Sequence, residues 1–307
     1  MLASLSDSSV RQYDTCLRKW YQFCNAHNFN VFEASIPNVI YFLTKLFEAG
    51  AQYGTLNSCR SALSLILGVH VGNDDRMKRF FKGVFKLRTP LPKYNVTWDT
   101  STVLDTLATW YPNENLNLDK LSKKISTLLA LVTAHRLQTL SKININNIER
   151  FPDKVIIKIP DLIKTSRIGS LQPVLVLPYF RDRPEVCPVN VLLRYLDMTD
   201  SLRGNNHYLF IGIKKPHKSV SSQTLSRWVK STLSECGINV SVFTAHSTRH
   251  AATSRAHQLG VNLDLIRKTA GWSGSSNVFG RFYNRVVGDI IDHELFARSI
   301  INNDSLH

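Results

Sequence analysis

Apolar residues recur every three to four positions along nearly the whole of this chain, and the period changes in only one region. There, KVIIKIP (154–160) and PVLVLP (173–178) place β-branched residues in unbroken runs between prolines. The first pattern gives helices with one apolar face, the second short strands. The chain therefore reads as mainly α with a small antiparallel β-sheet. Helices are expected at 8–27, where Val10, Tyr13, Leu17, Trp20, Tyr21 and Cys24 share a face, and at 36–48, 55–67 and 73–88. Further helices are expected at 100–111, 116–135, 188–202, 221–236, 245–260, 263–270 and 289–301. Between the strands, DLIKTSRIGS is turn-rich and carries Lys164 and Arg167.

The segment TPLPKY (89–94) has two prolines and no period, the mark of a linker. With 307 residues there is enough chain for two cores. The expected organisation is a helical N-terminal domain at 1–88, a linker at 89–98 and a second domain at 99–307. No internal repeat or low-complexity tract interrupts it.

Charge narrows the function. Lys and Arg number 38 against 23 Asp and Glu, a net charge of +15, and the pI is near 9.7. Such an excess points to a polyanion. No apolar run is long enough for a bilayer and no basic-then-apolar leader opens the chain, so nucleic acid is favoured over a membrane surface. The cations are densest in RMKRFFKGVFKLR (76–88), where Arg76, Lys78, Arg79, Lys82, Lys86 and Arg88 stand with no acid among them. Phe80, Phe81, Val84 and Phe85 interleave at helical spacing. The segment reads as a helix packed by its phenylalanines, its basic back either solvated or set against a phosphate backbone. KKPHK (214–218) is a second, smaller patch. Five scattered cysteines, Cys16, Cys24, Cys59, Cys187 and Cys236, show no metal-ligand spacing and read as buried thiols of a reducing compartment.

Five places could carry chemistry. AHSTRHAATSRAHQLGV (245–261) puts His246, Arg249 and His250 at i, i+3 and i+4 of a helix ending at Gly260. For an arbitrary helix this is a solvated basic stripe; alternatively it is an anion site, since a guanidinium binds phosphate bidentately. Arg136 follows the apolar run LLALVTA, where burial would demand a carboxylate or an anion. Lys164 alone reads as a solvated turn lysine. Trp272 in AGWSG reads as a core tryptophan. Tyr283 in NVFGRFYNR reads as a packed ring with its hydroxyl at the surface.

Taken together, the order Arg…Lys…His-x-x-Arg…Trp…Tyr resembles the tyrosine recombinases of the phage integrase family. HSTRH is similar to the family's H-x-x-R motif and TAHRLQTLSKI to the segment holding its first catalytic Arg. AGWSGSSNVFGRFYN is similar to the stretch running to its nucleophilic Tyr. RFFKGVFKLRTPLPKY and RLQTLSKI are closest to recombinases of DIRS-like and Crypton-like eukaryotic transposons. The resemblance covers nearly the whole chain, and implies an all-helical core-binding domain followed by an α+β catalytic domain.

The resemblance implies that Tyr283 is the nucleophile, that Arg136 and Arg249 clamp the scissile phosphate, and that His246 accepts a proton or donates a hydrogen bond. Lys164 would protonate the leaving 5′-oxygen. Trp272 stands where most members have His; its N–H can donate but not accept. His250 is implied to be structural. The partner would be double-stranded DNA, cut and rejoined through a 3′-phosphotyrosine with no metal or cofactor. The two domains would grip opposite faces of the duplex, and a homotetramer would form on DNA from free monomers or dimers. Residues 289–302 would be a helix docking on a neighbouring subunit or packing in cis. The setting implied is transposon integration or excision in a nucleus. Two departures stand out: Thr139 occupies the usual acidic position three after the first Arg, and the stretch from Trp272 to Tyr283 is slightly long. A domesticated DNA-binding protein with little catalysis and a type IB topoisomerase are the rival readings.

Overall fold

The computed structural model describes residues 4–91, 94–166, 169, 171–272 and the backbone of 286–287. The expected segments 273–285 and 289–302, with Tyr283 among them, and Arg167 of the strand connection lie outside the described residues. The chain divides into two compact units, Met1–Pro92 and Lys93–His307.

The first unit is helical: α1 (Asp7–His27), α2 (Ile36–Glu48), α3 (Tyr53–Leu67), α4 (His70–Asn73) and α5 (Asp75–Leu87). Ser6 caps α1 by accepting the Ser9 N–H, and Asn28 ends it in the left-handed region. The apolar faces meet in one core around Trp20, Val39, Leu43, Leu56, Leu63 and Met77. Trp20 is fully buried, and its indole N–H is satisfied by the Val31 carbonyl at 3.0 Å. The helix expected over 73–88 forms as α5, starting two residues later, at Asp75. Asp74 leaves helical geometry and accepts the Arg76 N–H at 2.8 Å; a capping carboxylate offers the backbone a better start than continuation does.

The second unit opens with β1 (Val96–Thr97) and α6 (Thr100–Ala108), followed by α7 (Leu118–Thr133) and α8 (Leu137–Leu140). The sheet comprises β2 (Ile148–Arg150), β3 (Lys154–Lys158) and β4 (Val174–Pro178). It is antiparallel in the order β2-β3-β4, with Ile156 opposite Val176. Helices α9 (Pro188–Thr199), α10 (Ser222–Glu235), α11 (Ser247–Gln258) and α12 (Leu263–Thr269) follow. A two-residue β5 (Val286–Val287) pairs in parallel with β1. The chain is thus mostly helical with a small antiparallel sheet, as the period change requires. Two pairings go beyond it: β2 and the β1–β5 pair are too short and too polar or isolated to show a period.

Helix α7 is the hub, touching α9, α10 and α11. It is buried nearly all round, including Ser122, Ser126, Thr127 and Lys124. Its hydroxyls turn back on helix carbonyls, Ser122 to Leu118 at 2.6 Å and Thr133 to Leu129 at 2.6 Å. The Lys124 ammonium donates to the Trp110 carbonyl and Asn113 Oδ1, each at 2.9 Å; burial lowers its pKa to about 8. All five cysteines are free and buried. No described helix is long and apolar enough to cross a membrane.

Candidate active site

The site is built where α7 ends. The helix stops at Thr133, two residues before its expected end, because Ala134 turns into the left-handed region at φ 49°. That turn does two things. It takes the Ala134 carbonyl out of the helical ladder, and it delivers His135 and Arg136 to the start of α8. Arg136 is half-buried, and its carbonyl accepts the Thr139 N–H at 2.8 Å. Thr139 is buried, 2% exposed.

Helix α11 meets this corner with its N-terminus. His246 precedes its first turn, and Ser247 Oγ accepts the Trp98 indole N–H at 2.8 Å. Arg249 is 1% exposed. Its guanidinium donates to the Ala134 carbonyl at 2.9 Å and lies 4.3 Å from the centre of the Trp272 ring. A solvated stripe is therefore ruled out for Arg249. A buried cation in such a setting is held by a carbonyl and an aromatic face, and its planar fork matches a phosphate. His250 is also buried and packs edge-on between His246 at 5.5 Å and Tyr94 at 5.6 Å. The C-terminus of α11 follows expectation: Gly260 has φ 80°, and the Val261 N–H reaches back to the Ala256 carbonyl at 3.0 Å, closing a Schellman turn.

Lys164 is exposed on the connection between β3 and β4. It occupies a turn closed by the Ser166 N–H to the Ile163 carbonyl at 2.9 Å and by the Ile163 N–H to Ser166 Oγ at 2.9 Å. Lys158, at the end of β3, is ion-paired with Glu149.

Electrostatics join these residues. His246 keeps an exposed edge, yet burial and the nearby Arg249, Arg136 and Lys164 cations lower its pKa to about 4. It is neutral at physiological pH and retains a ring nitrogen able to take a proton. Arg136, Lys164 and Arg249 thus all act on His246, and Trp272 covers Arg249. Sequence reasoning missed His135, which is 7% exposed, with its pKa lowered to about 4 by burial and by Arg249 and Arg136. Nothing in the motif order marks it. Among the described residues, no three His, Cys, Asp or Glu side chains converge to hold a metal ion.

Part of the basic segment is paired within its own unit. Read alone it carries six cations and no acid, but Asp74 and Asp75 just before it pair with two of them. Arg76 bonds Asp74 at 2.7 Å and Lys78 bonds Asp75 at 2.9 Å. Arg88 donates to the Ala51 carbonyl at 2.7 Å and lies over the Phe47 ring. Arg79, Lys82 and Lys86 are exposed and make no ion pair among the described residues. They are spaced i, i+3, i+7, one stripe on α5, away from buried Met77, Phe81 and Val84.

The second unit thus holds a buried arginine against the corner that carries a second one, beside a histidine kept neutral by burial and by the charges of Arg249, Arg136 and Lys164. The phage integrase family model matches residues 101–287, and the chain belongs to that family. No curated protein sequence matches it. Among solved structures, XerH site-specific recombinase bound to palindromic difH substrate matches with TM-score 0.65 and 15% identity, over 96% of this chain and 80% of that one. The Tn1549 transposon integrase in complex with transposon right end DNA matches with TM-score 0.61 and 14% identity, over 97% and 95%. Lambda integrase bound to DNA matches with TM-score 0.54 and 11% identity, over 94% of both chains. At such identities these likenesses establish the fold.

Proposed function

We propose that this protein is a site-specific DNA recombinase that cuts and rejoins strands through a covalent 3′-phosphotyrosine, with no metal required. The observation that carries the reading is buried Arg249, held by the Ala134 carbonyl at the corner that carries Arg136, with His246 three residues before it and kept neutral by burial and by the charges of Arg249, Arg136 and Lys164. A phosphodiester is already anionic, and attack by an oxygen concentrates charge on its nonbridging oxygens. Two guanidiniums stabilise that charge. Tyr283 Oη attacks phosphorus while His246 takes its proton. The P–O5′ bond breaks, and Lys164 donates a proton to the departing 5′-oxygen. The phosphotyrosine keeps the ester's energy, so a 5′-hydroxyl can reverse the step without ATP. Strand β5 begins three residues after Tyr283 and lies beside α11, which supports the choice of nucleophile.

The duplex would be gripped partly by the Arg79, Lys82 and Lys86 stripe. The likeness to a transposon integrase supports a role in integration or excision of a mobile element. The resemblance of RFFKGVFKLRTPLPKY and RLQTLSKI to DIRS-like and Crypton-like recombinases would put that element in a eukaryotic nucleus. Residues 289–302, with Ile290, Ile291, Leu295, Phe296 and Ile300, would join subunits of a tetramer on DNA. The direct test is a nicked duplex that traps the intermediate, run on a denaturing gel. A DNA-linked band supports the reading, and its absence on every candidate end defeats it. Strand exchange between two duplexes, rather than relaxation of a supercoiled plasmid alone, separates recombination from topoisomerase action.

Two further results are expected. Replacing Lys164 with Ala should stop cleavage of an ordinary duplex but spare one with a 5′-bridging sulfur, because a thiolate leaves without a proton. Equal defects on both substrates would remove Lys164 from this role. Replacing Arg79, Lys82 and Lys86 together with Gln should lower the slope of log K against log salt by about 2 to 3, at about 0.9 per lost phosphate contact. The same change at Arg76, Lys78 and Arg88, already engaged within the domain, should lower it by less than about 1. Equal shifts would move the grip away from the stripe.

A further inference from the structure

His135 occupies the junction between α7 and α8. Its backbone lies between Ala134, whose carbonyl holds Arg249, and Arg136. Its ring lies against Gly271: a Cβ added there would fall 3.0 Å from His135 Cε1 and 3.5 Å from Nδ1. Gly271 has φ 66°, so both its backbone and the imidazole require that it lack a side chain. The next residue is Trp272, whose N–H reaches the Arg267 carbonyl at 2.9 Å and whose ring covers Arg249. Thus one buried ring lies against the turn that carries Trp272, at the corner that carries Arg136 and whose Ala134 carbonyl holds Arg249. Burial and the two cations keep that ring neutral, so it fills the corner without adding a third positive charge beside Arg136 and Arg249.

We infer that His135 is a positioning residue for the cleavage reaction: its ring sets the Gly271–Trp272 turn, and through it the seat of Arg249 at the phosphate. This rests on the proposed strand-cleaving function. The residue touches no substrate in this assignment; it acts through Trp272. The consequence is a loss of rate rather than of DNA affinity, and a dependence on Trp272 that a merely structural core residue would not show.

The test uses the full chain and a nicked duplex under single-turnover conditions. Four proteins are compared: wild type, His135→Ala, Trp272→Ala and the double variant. DNA affinity and thermal melting are measured beside the rate. His135→Ala should slow covalent attachment by between about tenfold and a hundredfold, the scale of an ångström's misplacement, with affinity within about twofold of wild type. In the Trp272→Ala background the same change should cost no more than about twofold, since residues acting as one unit do not multiply their effects. Gly271→Ala presses on the same contact from the other side and carries the test if His135→Ala does not fold. Its rate should fall likewise, and the loss should vanish in the Trp272→Ala background. An unchanged rate in His135→Ala, a full multiplication of the two losses, or a fall in affinity matching the fall in rate would overturn the inference. A wild type that forms no adduct overturns the cleavage reading itself, and so is told apart from these outcomes.

Discussion

Tyr283→Phe should abolish the covalent DNA adduct while leaving DNA affinity within about twofold of wild type. The attacking atom is the phenolic oxygen, and phenylalanine removes it while keeping the ring. Binding rests on phosphate contacts made by cations, to which a neutral hydroxyl contributes little. The measurement pairs a denaturing gel with a salt-matched affinity titration. If the band persisted, another tyrosine would be the nucleophile. Tyr195 is a poor substitute, being fully buried with its hydroxyl accepting the Ile211 N–H at 3.2 Å. Tyr179 and Tyr208 do not follow the α11 motif in the chain. Loss of binding together with the band would point instead to a damaged fold.

The second large effect is expected at Arg249. Arg249→Ala removes a group that stabilises charge on the nonbridging oxygens, and cleavage should slow by about a hundredfold to a thousandfold. It also empties a site in the interior. The Ala134 carbonyl loses its partner and Trp272 its cation, so the variant should melt earlier, by a free energy on the order of 2–4 kcal/mol. Arg249→Lys separates the two roles. Lysine keeps the charge but lacks the planar fork and stacks poorly on the indole. Its rate should stay well below wild type while more of the stability returns. Single-turnover rates and urea melts on the three proteins check this. A lysine variant as active as wild type would show that charge alone suffices at this position, and that the bidentate clamp is wrong.

Neighbouring residues explain why some of the site could be read in advance. The apolar run before Arg136 pointed to a partly buried guanidinium, and Arg136 is half-buried. The glycine at 260 marked the end of α11, because its left-handed geometry is a backbone preference legible one residue at a time. Lys164 could be placed on the strand connection for the same reason: prolines bound the strands on both sides. By contrast, the pairing of the basic segment is not legible in its own thirteen letters. The two acids that neutralise Arg76 and Lys78 lie just outside it, and whether they cap a new helix or continue an old one is settled by geometry at Asp74.

The sequence by itself determined the main helices, strands β3 and β4 and the chain order of the chemical groups, because periodicity and caps act over a few residues. Only the tertiary structure decided how those groups meet. Alanine has no preference for the left-handed turn, yet Ala134 adopts it, and that single turn sends His135 and Arg136 toward α11. Arg249 is buried because its partner carbonyl comes from 115 residues earlier and its aromatic cover from the turn after α12. No local pattern records either contact. The burial of a charge is set by whichever distant groups can satisfy it, and those groups become neighbours only when the whole unit packs.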